Sequence, residues 1–293
     1  MNNPALAAAF ALMAAVGSAT FSIIIRKGQR YGNAATGVLI GMLVGTPILL
    51  AATALLWEPG WWHPRAYALF IAAGLAGPCF GRMFIFLGIH HLGVSRAIPL
   101  KSIQPLAAAM LAYTILCERP GPFIWGGTIL IVAGCVAFSL KRKDDTSWSR
   151  RHIWLPLAAV VTFASGAILR KLGLGMLQSP LLGVTFTSLA GLVFFLGFSF
   201  VMPRSYRPDL RWGKAWYFYG ACGLINTLTF LLSFHAIMRG DITVVTPISS
   251  MAPFFALVMS HLFLRDVERV TGPVVLGTVF TVAGGAIIGW RVL

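Results

Sequence analysis

Ala97-Ile-Pro-Leu-Lys-Ser-Ile-Gln-Pro105 and Val245-Thr-Pro-Ile-Ser-Ser-Met-Ala-Pro253 are two copies of one segment. Each holds two prolines six residues apart, and Pro99 and Pro105 precede Pro247 and Pro253 by 148 residues. The same offset carries on to Glu118 and Asp266. After a two-residue insertion, Val132-Ala-Gly134 matches Val282-Ala-Gly284. Upstream the offsets shorten: Ile25-Arg-Lys27 matches Leu169-Arg-Lys171, and Gly37 and Gly45 match Gly183 and Gly191. A fixed order with drifting offsets marks a duplicated unit with small changes in loop length. In a membrane chain such a repeat points to a transporter.

The composition is that of a membrane protein. Apolar residues make up 58% of the 293 positions, mean hydropathy is +0.82 and charged residues are only 11%, where a soluble domain carries roughly 25%. Uncharged runs near the spanning length of about 20 residues recur along the chain. Ten are read, at 5–25, 33–56, 66–88, 95–116, 122–140, 153–169, 180–202, 215–237, 243–264 and 271–290. The first lacks a basic leader and reads as a helix rather than a signal peptide. Ten spans in two copies give five each. An odd count makes the second copy enter from the opposite side. The expected fold is thus an all-α membrane protein of ten transmembrane helices in two inverted five-helix repeats. Residues 1–145, with the central basic loop, form the first, and 146–293 the second. Such a relation offers two similar packings that open to opposite sides.

The net charge of +15 would suggest nucleic acid in a soluble protein. Here basic loops hold topology instead. Fifteen Lys and Arg follow the odd-numbered runs and six lie on the other side, while Arg82 and Lys101 fall inside helices. The bias places both termini outside the cytoplasm. Cys79, Cys117, Cys135 and Cys222 are scattered with no C-x-x-C pair, so they read as small apolar residues, and no metal site or cofactor is expected. Tryptophans such as Trp57, Trp62, Trp154, Trp212 and Trp290 favour run ends, as an interfacial belt does.

Within each copy a proline starts a helix, an acidic residue ends it, and a glycine-spaced helix follows. The order is Pro105, Glu118, Gly127, Ala133-Gly134, then Pro253, Asp266, Gly277, Ala283-Gly284. This resembles the EamA-type domain of the drug/metabolite transporter superfamily, present twice, with an architecture similar to that of YddG-type amino-acid exporters. The resemblance implies a ten-helix secondary transporter of the bacterial inner membrane that moves small metabolites, often outward, and since two repeats supply both halves of a carrier, a monomer suffices. Amino acids, aromatic ones included, are the substrates it implies first; drugs, sugars and nucleotide derivatives stay open. It also implies termini in the cytoplasm, against the charge bias.

Ionisable groups inside spans are costly and so mark function. Arg82 and Lys101 sit about six residues from facing ends of the third and fourth runs, which suggests one polar cavity for an anionic group, against a reading in which both snorkel to the interface. Pro99, Pro105, Pro247 and Pro253 kink their helices and free carbonyls, the last two in the copy that replaces Lys101 by Ser249 and Arg82 by Phe230. Ser102 and Gln104, with Thr246 and Ser250, flank those kinks, and Asn226 needs partners mid-span. The expected ligand is amphipathic, with an acidic end and an apolar body.

Glu118 and Asp266 are expected to pair with the adjacent Arg119 and Arg265. No carboxylate lies deep in a run, so facilitated diffusion or exchange is favoured over proton coupling, with His235 the one histidine placed to carry protons. Gly127, Gly134, Gly277 and Gly284 form packing stripes. The chain has neither H-E-x-x-H nor a spaced acidic motif, and Asp144-Asp145 sit in the basic loop. An enzyme is therefore disfavoured. A channel is a weaker alternative to a carrier.

Overall fold

A computed structural model describes residues 3–28, 30–92, 94–139, 150–201, 207–263 and 272–292. Lipid offers no partner for a backbone N–H or C=O, so an apolar chain must close its hydrogen bonds within helices. The described residues are accordingly helical throughout, with short connections and no sheet. Helices α1 (Pro4–Gly28) and α2 (Ala34–Leu55) are followed by α3 (Pro64–Gly74) and α4 (Arg82–Leu92). A π-helical segment, Leu75–Gly81, joins α3 to α4 without leaving the helix axis. Then come α5 (Val94–Lys101), α6 (Gln104–Ile115) and α7 (Pro122–Ser139). The remainder is α8 (Trp154–Met176), α9 (Pro180–Val201), α10 (Lys214–Arg239), α11 (Ile242–Ser249), α12 (Ala252–Phe263) and α13 (Gly272–Val292). Among the described residues, seven helical stretches are long and apolar enough to cross a membrane, and two shorter apolar helices, Pro122–Ala137 and Val275–Arg291, accompany them. The chain is an integral, multi-pass membrane protein.

Three readings of the sequence need correction. The run at 153–169 continues as helix to Met176, so Arg170 and Lys171 are helical residues and not loop charges. Arg82 lies ten residues before the end of α4, not six, so it sits about 15 Å from that end at 1.5 Å per residue. The runs at 95–116 and 243–264 are each two helices rather than one kinked helix. They break at Ser102–Ile103 and at Ser250–Met251, between the paired prolines and 148 residues apart. The boundary between the proposed halves, at 145/146, and the partner of Asp266 both lie outside the described residues.

Helix contacts recur in matched pairs. α1 packs on α10 while α8 packs on α3, α4 and the π-helical segment. α2 touches α10 while α9 touches α3. α1 meets α11 and α12 while α8 meets α5 and α6, and α7 lies along α13. In lipid these contacts depend on close van der Waals packing, which small residues permit. The buried face of α1 is Ala7, Ala11, Ala14, Ala15 and Ala19. A Cβ on Gly223 of α10 would come within 2.6 Å of the Gly41 carbonyl oxygen of α2. One on Gly284 of α13 would reach the Gly127 carbonyl oxygen of α7 at 2.5 Å. Tyr219, fully buried, donates from its hydroxyl to the Gly32 carbonyl (2.7 Å) and ties α10 to the turn between α1 and α2.

Candidate functional site

Where α2, α9, α10 and the third span converge, one small cavity opens. It is lined by Gly41, Met42, Gly45 and Thr46 of α2, Ser188 of α9, Asn226, Thr227 and Phe230 of α10, and Pro78 and Arg82 of the third span. The enclosed part is about 20 Å³, room for about one water, and the cavity opens at its mouth. Local sequence explains the shape. Gly41 and Gly45 let α10 approach α2, since a side chain at Gly45 would strike the Thr227 hydroxyl. Pro78 has no N–H to give an α-helix, and the surrounding turn widens to a π-helix. Glycines around it admit the neighbours: Gly74 meets the Thr187 backbone, and a Cβ on Gly81 would lie 2.9 Å from the Phe163 ring. The widened turn ends at Arg82 and turns its side chain to the cavity wall.

The polar groups of the cavity are donors or neutral oxygens. The guanidinium of Arg82 has no hydrogen-bond or ion-pair partner among the described residues. Thr46 is 1% exposed, and its Oγ1 is buried without a partner. A buried hydroxyl in that condition is costly unless a ligand or water meets it. Among the described lining residues none is a carboxylate.

Of the residues expected from the sequence, Arg82, Asn226 and Phe230 come together here. Lys101 does not line the cavity: its Nζ sits 5.0 Å over the ring of Phe163, on α8. The same ring lies against Gly81, the residue before Arg82. Ser102 and Ser250 donate to carbonyls of their own helices, Ile98 (3.0 Å) and Thr246 (2.8 Å). Ser249 has a buried Oγ without a partner, and Gln104 and Thr246 are half-buried beside the two breaks. Pro99 and Pro247 lie inside α5 and α11, and Pro105 and Pro253 in the first turns of α6 and α12.

Sequence reading missed two residues. Arg170 lies against Phe230 and Phe234, its Cζ 5.5 and 5.6 Å from their ring centroids, while its Nε donates to the Gly166 carbonyl at 3.0 Å. The signal available was an Arg-Lys pair at the end of an apolar run, which reads equally as a loop. Thr46 carried no signal beyond its place in a run.

Glu118 is a correction. Its carboxylate accepts from the backbone N–H groups of Ile242 (2.9 Å) and Thr243 (3.0 Å), capping α11 rather than pairing with Arg119. Anions are favoured at helix N-termini, where N–H groups lack intrahelical partners. Lys171 complements it, donating from Nζ to the carbonyls of Ile237 (2.9 Å) and Gly240 at the end of α10. His235 is engaged as well. The guanidinium of Arg239 can only donate, so the 2.7 Å contact makes Nδ1 of His235 the acceptor. The imidazole also stacks on Phe10 at 5.3 Å. This occupied lone pair argues against a shuttling proton.

Membrane-spanning helices, two of them broken at matching points and four converging on one small cavity with a cationic wall, have the build of a membrane transporter for small molecules. The chain belongs to the EamA-like transporter family, whose model matches residues 5–140 and again 150–290. Its members are transporters, not enzymes. A solved structure titled "Crystal structure of protein" is similar over 96% of this chain and 95% of its own, with a TM-score of 0.79 and 14% identity. At that identity the likeness speaks for the fold alone. No curated protein matches.

Proposed function

We propose that the chain is an exporter of small amphipathic metabolites that works by alternating access about the cavity at Arg82, without proton coupling. One observation carries this reading: three pairs of repeat-related residues line the same cavity. Arg82 and Phe230 are 148 residues apart, as are Pro78 and Asn226, while Met42 and Ser188 are 146 apart. These are the offsets of the duplication itself. A pseudo-two-fold axis passing through the cavity accounts for all three. The matched helix contacts and the matched breaks in the fourth and ninth spans support the same ten-span, inverted arrangement. Two halves of one chain then supply both sides of the carrier, and a monomer suffices.

The ligand's acidic end belongs at Arg82, and its apolar body against Phe230 and Met42. Amino acids, aromatic ones among them, carry the acidic end and come first as substrates to test. Every Asp and Glu of the sequence falls outside the apolar runs, which favours facilitated diffusion or exchange. The test is efflux from proteoliposomes loaded with mixed amino and organic acids, with and without a proton gradient. Selective efflux that ignores the gradient and drops in Arg82→Ala supports the proposal. Gradient-driven flux, or flux indifferent to Arg82, overturns it.

A further inference from the structure

Resting on that carrier reading, we infer that the cavity selects a net organic anion with an aromatic or apolar body over the zwitterion or cation of the same shape, and that Arg170 sets this selection through Phe230. The inference starts from the charges. Three cationic side chains lie in or beside the cavity: Arg82 on its wall, Lys101 over the Phe163 ring that Gly81 also meets, and Arg170 against Phe230. Among the described residues lining the cavity there is no carboxylate. Of the four described acidic residues, Glu118 caps α11, Asp241 precedes it, Glu58 lies in the exposed connection between α2 and α3, and Asp209 faces Arg211 outside the bundle. An incoming carboxylate therefore meets a guanidinium with no competing partner. An incoming ammonium meets only the neutral oxygens of Asn226, Thr46, Thr227 and Ser188. These can accept its hydrogen bonds but do not balance its charge, and burying an unbalanced charge is the costlier case.

Phe230 sharpens the choice. An aromatic face attracts cations because its quadrupole is negative there. On Phe230 that attraction is already engaged by Arg170, 5.5 Å from the ring centroid, which in turn is held by the Gly166 carbonyl. A guanidinium on the ring draws π density toward itself and adds a positive charge just beyond it. The side of Phe230 that lines the cavity is then a poor host for a second cation and a good neighbour for an anion or an electron-rich ring. Arg170 itself does not line the cavity, so it acts as a positioning and charge-setting residue.

Three probes share one ring and differ in charge: 3-phenylpropanoate, phenylalanine and phenethylamine. Counterflow of each is measured in proteoliposomes of the full chain. The expected order is anion over zwitterion over cation, with about tenfold or more between the first two, the effect of one charged hydrogen-bonding group left unbalanced. In Arg170→Gln the ratio of anion to cation flux narrows severalfold, and in Arg170→Lys, which restores the charge, it recovers. Wild-type ordering tests the selection without any variant, so a poorly folded Arg170→Gln does not decide the matter. Phenylalanine moving as fast as or faster than 3-phenylpropanoate overturns this inference while leaving the carrier reading standing. Absence of flux for all three overturns both. An unchanged flux ratio in a folded Arg170→Gln removes Arg170 from the selection.

Discussion

Replacing Glu118 by alanine tests how the corner between α6, α10 and α11 works. Helix α11 has only eight residues, so its first turn is a large part of it. The N–H groups of Val244 and Val245 reach the Asp241 carbonyl at 3.1 and 2.9 Å. Those of Ile242 and Thr243 depend on the Glu118 carboxylate. The chain is turned to deliver it: Cys117 is left-handed (φ 56°), and the N–H of Glu118 returns to the Ala112 carbonyl at 3.2 Å. Deleting a cap costs about 0.5–2 kcal/mol, and a partly buried charge at a helix end adds up to about 2 kcal/mol. A combined loss of about 2 kcal/mol is a factor of roughly thirty in an equilibrium. Under alternating access this corner closes one end of the carrier, and a state with that end open lacks the contact. Glu118→Ala then shifts the population toward the open state by about that factor, and Glu118→Gln, which keeps one acceptor oxygen, by less.

The assay places a single cysteine at Thr46 in a cysteine-free background and labels it with a membrane-impermeant maleimide applied to each side in turn. Thermal melting in detergent is followed in parallel. A lower melting temperature together with a several-fold change in the side from which Thr46→Cys reacts is the expected result. A lower melting temperature with unchanged sidedness refutes the gating argument and leaves a structural cap. Unchanged melting refutes the energetic one.

Other outcomes follow from the same geometry. Gly284→Val drives its Cβ into the Gly127 carbonyl and the Ile131 side chain, and overpacking of about 1–3 kcal/mol lowers the melting temperature in detergent. Cys117→Gly relieves a left-handed residue and stabilises by about 0.5–1 kcal/mol, read as a higher melting temperature with transport retained. Lys171→Met leaves the carbonyls of Ile237 and Gly240 without their donor and costs about 1–3 kcal/mol, visible in the same melt, while Lys171→Arg recovers part of it. A reporter active only outside the cytoplasm, fused after Leu293, gives signal if basic loops set the orientation.

The bilayer made much of the fold readable. Lipid exposure demands long apolar runs, and duplication supplies a second, independent reading of each. The glycines of α7 and α13 were legible for the same reason, because close helix approach in lipid has few solutions. The π-helical turn at Leu75–Gly81 was not. Nothing local to Pro78 marks a wider turn, and the glycines around it meet Thr187 and Phe163, distant in sequence. Arg170 read as a loop charge because an Arg-Lys pair at the end of an apolar run has the same local pattern in a helix or beyond it. Phe230 and Phe234, which shield its guanidinium, come from another helix. Glu118 was read with its neighbour Arg119, whereas its partners lie more than a hundred residues away on α11. Local pattern reveals where a charge is, and only the fold reveals what it faces.

Divergence between the copies explains why a pseudo-symmetric framework can hold an unsymmetrical ligand. An unchanged duplication would present two arginines, or two phenylalanines, across the cavity at positions 82 and 230. Two arginines repel and would suit a dianion, and two phenylalanines would hold no charge. The pair present, Arg82 and Phe230, makes one pole cationic and the other aromatic. Proline at 78 widens one helix while asparagine at 226 leaves its counterpart in α10 regular and adds an amide to the wall. Under the proposed inverted relation, the backbone keeps the two-fold character that lets the halves exchange packings, and the side chains discard it. Restoring symmetry separates the two. Phe230→Arg keeps the helix framework but removes the aromatic pole and sets a second guanidinium in the cavity beside Arg170, so the protein reaches the membrane while flux of aromatic monoanions falls about tenfold, from lost ring burial and a buried cation that one carboxylate does not balance. Undiminished flux in that variant would mean that the ligand does not lie between positions 82 and 230.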